Sequence, residues 1–216
     1  MSIQLQFLGA TQNVTGSSYL LEVDDTKVLI DCGLFQEREF RSRNWHTFPV
    51  DPRGIDAVIL THAHLDHCGL LPRLVREGFT GKIVCTRPTE GIAKIVFADS
   101  ARIQEEDARF KQRRHKQERR KGPYPELALY GRRDAEKASS LFQSVGYEEA
   151  VSVNHRISVA FYDAGHILGS SMAKIKAVSN KKERTILFSG DVGRWNKPII
   201  RDPSFIEQAD YILGES

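Results

Sequence analysis

The stretch IDAVILTHAHLDHCGLLPRLVREG, residues 55–78, decides the fold. IDAVILT is a near-continuous apolar run of the kind expected of a strand buried on both faces. LLPRLVREG reads as a helix closing at Gly78. Between them, His62, His64, Asp66 and His67 put three imidazoles and one carboxylate into six residues. At a strand end, the turn has to fold these side chains around a point. Imidazole and carboxylate together suit zinc, manganese or iron better than calcium or magnesium. The chain has only seven histidines in 216 residues, so three inside one hexapeptide is far from chance scatter.

Outward from this cluster, the pattern repeats at other strand ends. ISVAFYDAGHILGSS sets His166 among small residues after an alternating run, and RTILFSGDVGR does the same for Asp191. Glycines beside both let backbone and side chain crowd a bound ion. VLIDCG ends a further strand on Asp31, placed to orient a ligand histidine from behind. IQLQFLG, SYLLEV and TKVLID read as strands, as do KIVCT, EAVSVN, SMAKIKAV and the final ADYILGES. Residues 34–54 read as a short helix plus loop. A long helix starts at Pro88, with Ile92, Ile95, Val96 and Ile103 on its apolar face, and GPYP at 122–125 stops it. RDAEKASSLFQSVGY reads as a second helix ending at Gly146. Strands at both ends with helices between them imply an α/β protein with mixed sheets.

Composition narrows the classes. At 24.4 kDa, with 40% hydrophobic and 27% charged residues, the chain has the make-up of one well-buried globular domain. No apolar run approaches the roughly 18 residues of a membrane span, and the N-terminus lacks the build of a signal peptide. Cys32, Cys68 and Cys85, an odd number without CxxC spacing, fit a reducing cytoplasm better than a disulfide framework. The net charge of +3 conceals a segment, residues 109–121, with eight Lys/Arg and one Glu; its +7 leaves the remaining 203 residues at −4. Such a segment suits an anionic polymer, with Arg113, Arg114, Arg119 and Arg120 as phosphate contacts and Phe110 and Tyr124 near enough to stack on bases.

HAHLDH matches the HxHxDH signature of the metallo-β-lactamase superfamily, and Asp31, His166 and Asp191 follow in the order of its other motifs. GATQNVTGSSYLLE, IDCGLFQ, THAHLDHCGLLP, AGHILGSS and SGDVGR resemble its β-CASP RNA-processing ribonuclease branch. The resemblance implies a four-layer αββα sandwich with metals in the cleft between two sheets. It implies two zinc ions: His62, His64 and His166 on one, Asp66 and His67 on the other, and Asp191 bridging. It implies RNA cleavage by a metal-activated hydroxide, with Asp66 as a further proton acceptor and Glu215 matching the acidic residue that opens the β-CASP motifs. No histidine follows His166, whereas the family completes its second metal site with a late one. The expectation is therefore residues 1–216 as the N-terminal portion of the metallo-β-lactamase domain, without the inserted β-CASP domain or the closing strands. Alone it would be weakly active or inactive, and completed by a homodimer or a partner chain. Two other readings share the signature: a hydrolase of a small ester, thioester or lactone, and a non-catalytic RNA-binding scaffold.

Overall fold

The computed structural model describes residues 2–122 and 124–214. Two mixed sheets stack face to face. The first runs β1 (Ile3–Phe7), β2 (Tyr19–Val23), β3 (Thr26–Ile30), β4 (Ala57–Ile59), β5 (Lys82–Thr86), β6 (Phe142–Val145) in spatial order. Its first three strands are antiparallel, and β3 to β6 are parallel. The second sheet contains β7 (Val151–Ser152), β8 (Ile157–Asp163), β9 (Ser171–Ser179), β10 (Lys182–Phe188) and β11 (Tyr211–Leu213). It is antiparallel except for the β10–β11 pair. The helices are α1 (Leu65–Cys68), α2 (Leu71–Arg76), α3 (Arg87–Gln117) and α4 (Arg132–Ser139). Two 3-10 turns, Arg41–Trp45 and Pro52–Gly54, occupy the stretch expected to hold a short helix.

Strand alternation builds two cores. Leu20, Val58, Ile83 and Cys85 face the helices, against Leu71, Leu74, Ala93 and Phe97. Tyr19, Leu21, Ile59 and Val84 face the other way and join Phe161, Ile175 and Phe188 of the second sheet. The central strands are thus covered on both faces, which is why β4 reads as an unbroken apolar run. Truncating a fully buried member such as Leu21 or Phe161 to Ala costs about 2–5 kcal/mol. On the outer face of the second sheet, Met172 and Leu187 are covered by Ile206 and Ala209. The described residues therefore form three layers of the expected sandwich, helices, sheet and sheet, with coil on the fourth face.

Two boundaries differ from the sequence expectation. The second helix stops at Ser139, where Ser139 and Ser140 turn their hydroxyls back onto the Ala135 and Lys137 carbonyls. The residues beyond it form β6, parallel to β5. Val145 enters the core between the sheets, and Phe142 stacks on Phe97 at the helix side. The long helix ends at Gln117, before GPYP. Arg119 adopts φ 48°, and the Arg120 amide donates to the His115 carbonyl, a left-handed cap built without glycine.

No helix of the described residues is long and apolar enough to cross a membrane. All three cysteines are free and buried.

Candidate metal centre

Four strands end at the same edge of the sandwich, and each delivers part of one cluster: β3 gives Asp31, β4 gives His62 and His64, β8 leads to His166 and β10 to Asp191. The hexapeptide is held by its backbone. The carbonyls of Leu65, Asp66 and His67 accept the amides of Leu34, Ser17 and Cys32 at 2.9, 2.8 and 2.7 Å. Gly33 is obligatory here, because a Cβ would lie 1.7 Å from the Asp66 carbonyl oxygen. The His166 turn is fixed as firmly. Ser170 Oγ accepts the His166 and Ile167 amides, and the hydroxyls of Thr86 and Thr89 both donate to the Gly169 carbonyl at 2.7 Å. A Cβ on Gly193 would lie 1.7 Å from the Gly165 carbonyl oxygen, so that contact too admits only glycine.

His62, His64, His166 and Asp191 each offer one ligand atom, and these atoms lie within 4.8 Å of one another. His64 Nδ1 is 3.0 Å from His62 Nε2 and 3.2 Å from His166 Nε2. Asp191 Oδ2 is 3.1 Å from His166 Nε2 and 3.7 Å from His62 Nε2. A tetrahedral ion with bonds of about 2.05 Å to ring nitrogens spaces its ligand atoms by about 3.3 Å. A proton can serve one pair among three converging ring nitrogens; a cation serves all three, so the donor set fits a metal ion. The other Asp191 oxygen, Oδ1, lies 3.4 Å from His67 Nε2, which places His67 across the carboxylate from the first three histidines. Asp66, His166 and Asp191 line one cleft of about 600 Å³, walled by residues of the 10–14 loop.

Hydrogen bonds set the tautomers. Asp31 is buried at the left-handed φ of 56°. Its Oδ1 accepts the Thr61 amide at 2.8 Å, and its Oδ2 accepts the Thr61 hydroxyl at 2.7 Å and His67 Nδ1 at 2.8 Å. A carboxylate only accepts, so His67 carries its proton on Nδ1 and turns an Nε2 lone pair toward Asp191. Thr61 has given its proton to Asp31, so its oxygen accepts from His62 Nδ1 at 3.1 Å. His62 therefore also presents an unprotonated Nε2. Burial, reinforced by His67, holds the His62 imidazole well below its usual pKa; burial also lowers His166, partly offset by Asp191. Both stay neutral, the form that binds metal. Burial drives the Cys68 thiol well above its usual range, as suits a packed side chain.

The structure brings His62, His64, His166 and Asp191 together, with His67, Asp66 and Asp31 around them. Arg113, Arg114, Arg119 and Arg120 stand apart and exposed, on the last turns of α3 and just beyond it. Arg114 and Arg120 share Glu118, while Arg113 and Arg119 make no ion pair among the described residues. Tyr124 stacks on Trp45, with ring centroids 5.2 Å apart. Glu215 lies outside the described residues. Thr61, which carries the tautomer relay to His62, was invisible in the sequence. So was Glu37, which accepts the Val14 and Thr15 amides at 2.9 Å and pins the cleft-wall loop. Only the position of Thr61 directly before a histidine at a strand end hints at the first; nothing local marks the second.

Known proteins share sequence and fold with this chain. The chain is 37% identical over 207 residues to a ribonuclease of Thermus thermophilus, covering 96% of this chain and 42% of that protein. It is 31% identical over 176 residues to the transcription termination factor FttA of Methanocaldococcus jannaschii, covering 80% of this chain and 25% of that protein. An RNase J-like protein of the same organism is 29% identical over 216 residues, covering 99% of this chain and 42% of its own length. The chain thus spans less than half the length of these curated relatives. Among solved structures, a metallo-β-lactamase of Cronobacter sakazakii superposes with a TM-score of 0.51 at 17% identity, over 91% of this chain and 62% of that one. The model of the metallo-beta-lactamase superfamily matches residues 12–166. With a His/Asp cluster able to hold a metal at its strand ends and that match across most of its length, the chain belongs to the metallo-β-lactamase superfamily.

Proposed function

We propose that this chain is the metal-binding domain of an RNA phosphodiester hydrolase of the β-CASP type, and that it binds two zinc ions. The observation that carries the reading is the bridging position of Asp191, with one oxygen toward His62 and His166 and the other toward His67. In this reading His62, His64 and His166 hold one ion, Asp66 and His67 the other, and Asp191 both. When bound, such a pair supplies an activated water and positive charge for a phosphate's oxygens. The chain's own residues do the rest. Asp31 and Thr61 hold His62 and His67 in the tautomer whose Nε2 carries no proton. Asp66, which lines the cleft, would accept a proton. RNA as substrate is supported by the ribonuclease and termination-factor relatives and by the basic segment.

A second ion would have fewer ligands from this chain than the first, since no histidine follows His166 in these residues to add one. The isolated chain is expected to bind one zinc more tightly than the other and to cleave weakly, with a further domain, a second copy or a partner chain completing the site. Calorimetric zinc titration, followed by incubation with end-labelled RNA and with a thioester and lactone panel, tests this. Two equally tight sites would refute the asymmetry. Hydrolysis of esters with RNA left intact would replace the ribonuclease reading by the small-ester one. RNA binding by a chain that takes up no metal would replace it by the scaffold.

A further inference from the structure

A second and larger cleft, of about 1010 Å³, opens at His64 and Asp66 and follows α3 away from the metal centre. α3 lines it from Val96 to Lys111, a length of about 22 Å at 1.5 Å per residue. Its opposite wall carries Arg41 and Trp45 from the first 3-10 turn. Trp45 stacks on Tyr124 at an interplanar angle of 10°, and its indole N–H is buried without an acceptor among the described residues. Beyond Lys111 the same helix continues into Arg113 and Arg114 and the basic segment.

We propose that this cleft carries single-stranded RNA between the metal centre and the basic end of α3, a path that rests on the RNA reading above. Three independent features meet it: His64 and Asp66 at one end, Trp45 on its wall with Tyr124 stacked on that ring, and Lys111 at the other end, where the helix runs on into the basic segment. An aromatic step binds bases only when they are unpaired, because the faces of a duplex are already stacked; this selects a single strand. Arg41 and Lys111, both exposed, contact phosphates. Asp99 and Asp107 also line the helical wall, and Asp99 is held by Arg102 at 2.8 Å. Carboxylates repel phosphate and accept from base amino groups, so the backbone runs clear of these two positions on α3.

The chain has two tryptophans, so Trp195→Phe leaves Trp45 as the sole indole reporter. The experiment titrates this variant with a phosphorothioate-linked oligoribonucleotide that resists hydrolysis. Quenching of Trp45 emission on binding is expected. Trp45→Ala should weaken binding about 5- to 150-fold, the range for loss of one base-stacking partner, while Trp45→Phe keeps affinity near the parent. Replacing Arg41 and Lys111 together by Ala should reduce the slope of log affinity against log salt by about 1.4. Binding without quenching, with affinity unchanged in Trp45→Ala and the salt slope unchanged in the double variant, overturns the path and leaves the RNA reading standing. Absence of any RNA binding at low salt overturns both.

Discussion

Asp31→Asn is the sharpest probe of the metal centre, because one carboxylate decides the tautomer of two histidines. The substitution keeps size and tolerates the left-handed φ of 56° better than most side chains. With the amide oxygen kept toward the Thr61 amide, its NH2 group faces the Thr61 hydroxyl and His67 Nδ1, both of which now donate to Asp31. Thr61 must then accept, and its own proton turns to His62 Nδ1. His62 and His67 both shift their protons to Nε2, the atoms aimed at Asp191. Flipping the amide only exchanges this for a clash with the Thr61 N–H. Removing a partner that orients a ligand histidine lowers metal affinity typically 10- to 100-fold, or about 1.4–2.7 kcal/mol.

The assay is competition against a chromogenic zinc chelator at neutral pH, with thermal melts of the metal-free forms to confirm folding. Both metal-binding steps should weaken. Thr61→Val separates the two arms: it breaks the relay to His62 and leaves the His67–Asp31 bond, so only the step that uses His62 should weaken. If folded Asp31→Asn binds zinc within threefold of the parent, the tautomer argument is wrong.

Three further outcomes follow from the same geometry. Glu37→Ala should release the 10–16 loop from its clamp, costing about 1–2 kcal/mol of stability and speeding exchange of the Val14 and Thr15 amides; unchanged exchange would show that the clamp is idle. Burial opposes the charge on Glu37, but the hydrogen bonds from Thr15 and Val14 outweigh it and hold the pKa down to about 2, so the clamp's stabilisation is full above the ordinary carboxylate range, declines as pH falls below it and is gone below about 2. The metal-free protein should lose stability as pH falls below about 6.5. The unfolded chain there binds protons that buried His62 refuses, so stability rises with pH, and His62 alone accounts for about 2 kcal/mol between pH 7 and 5; a melting temperature flat over that window contradicts the neutral assignment. Gly193→Ala forces apart the Asp191 and His166 turns, and should lower zinc affinity at least tenfold while leaving the helical side of the fold intact, as read by chelator competition and circular dichroism.

The parts of the molecule that were legible in its sequence are those whose cause is local. Three histidines in six residues after an apolar run announce a metal-binding turn, because the covalent spacing itself forces them together. The strands β2 to β5 were readable because burial on one or two faces writes itself into period-two or continuous apolar runs. β6 was not: the eight-residue helix before it and the four-residue strand share one stretch of Ala, Leu and Phe, and only pairing with β5, more than fifty residues earlier, makes the second part extended. The metal centre divides the same way. Its ligand atoms come from motifs, but what makes them ligands, a Thr61 hydroxyl passing a proton preference from Asp31 to His62, spans a sequence separation of 30. The Thr86 and Thr89 hydroxyls that hold the His166 turn through Gly169 act across 83 and 80 residues. Residue identity can nominate a ligand; the tautomer and aim that make it bind depend on neighbours that only the fold brings near.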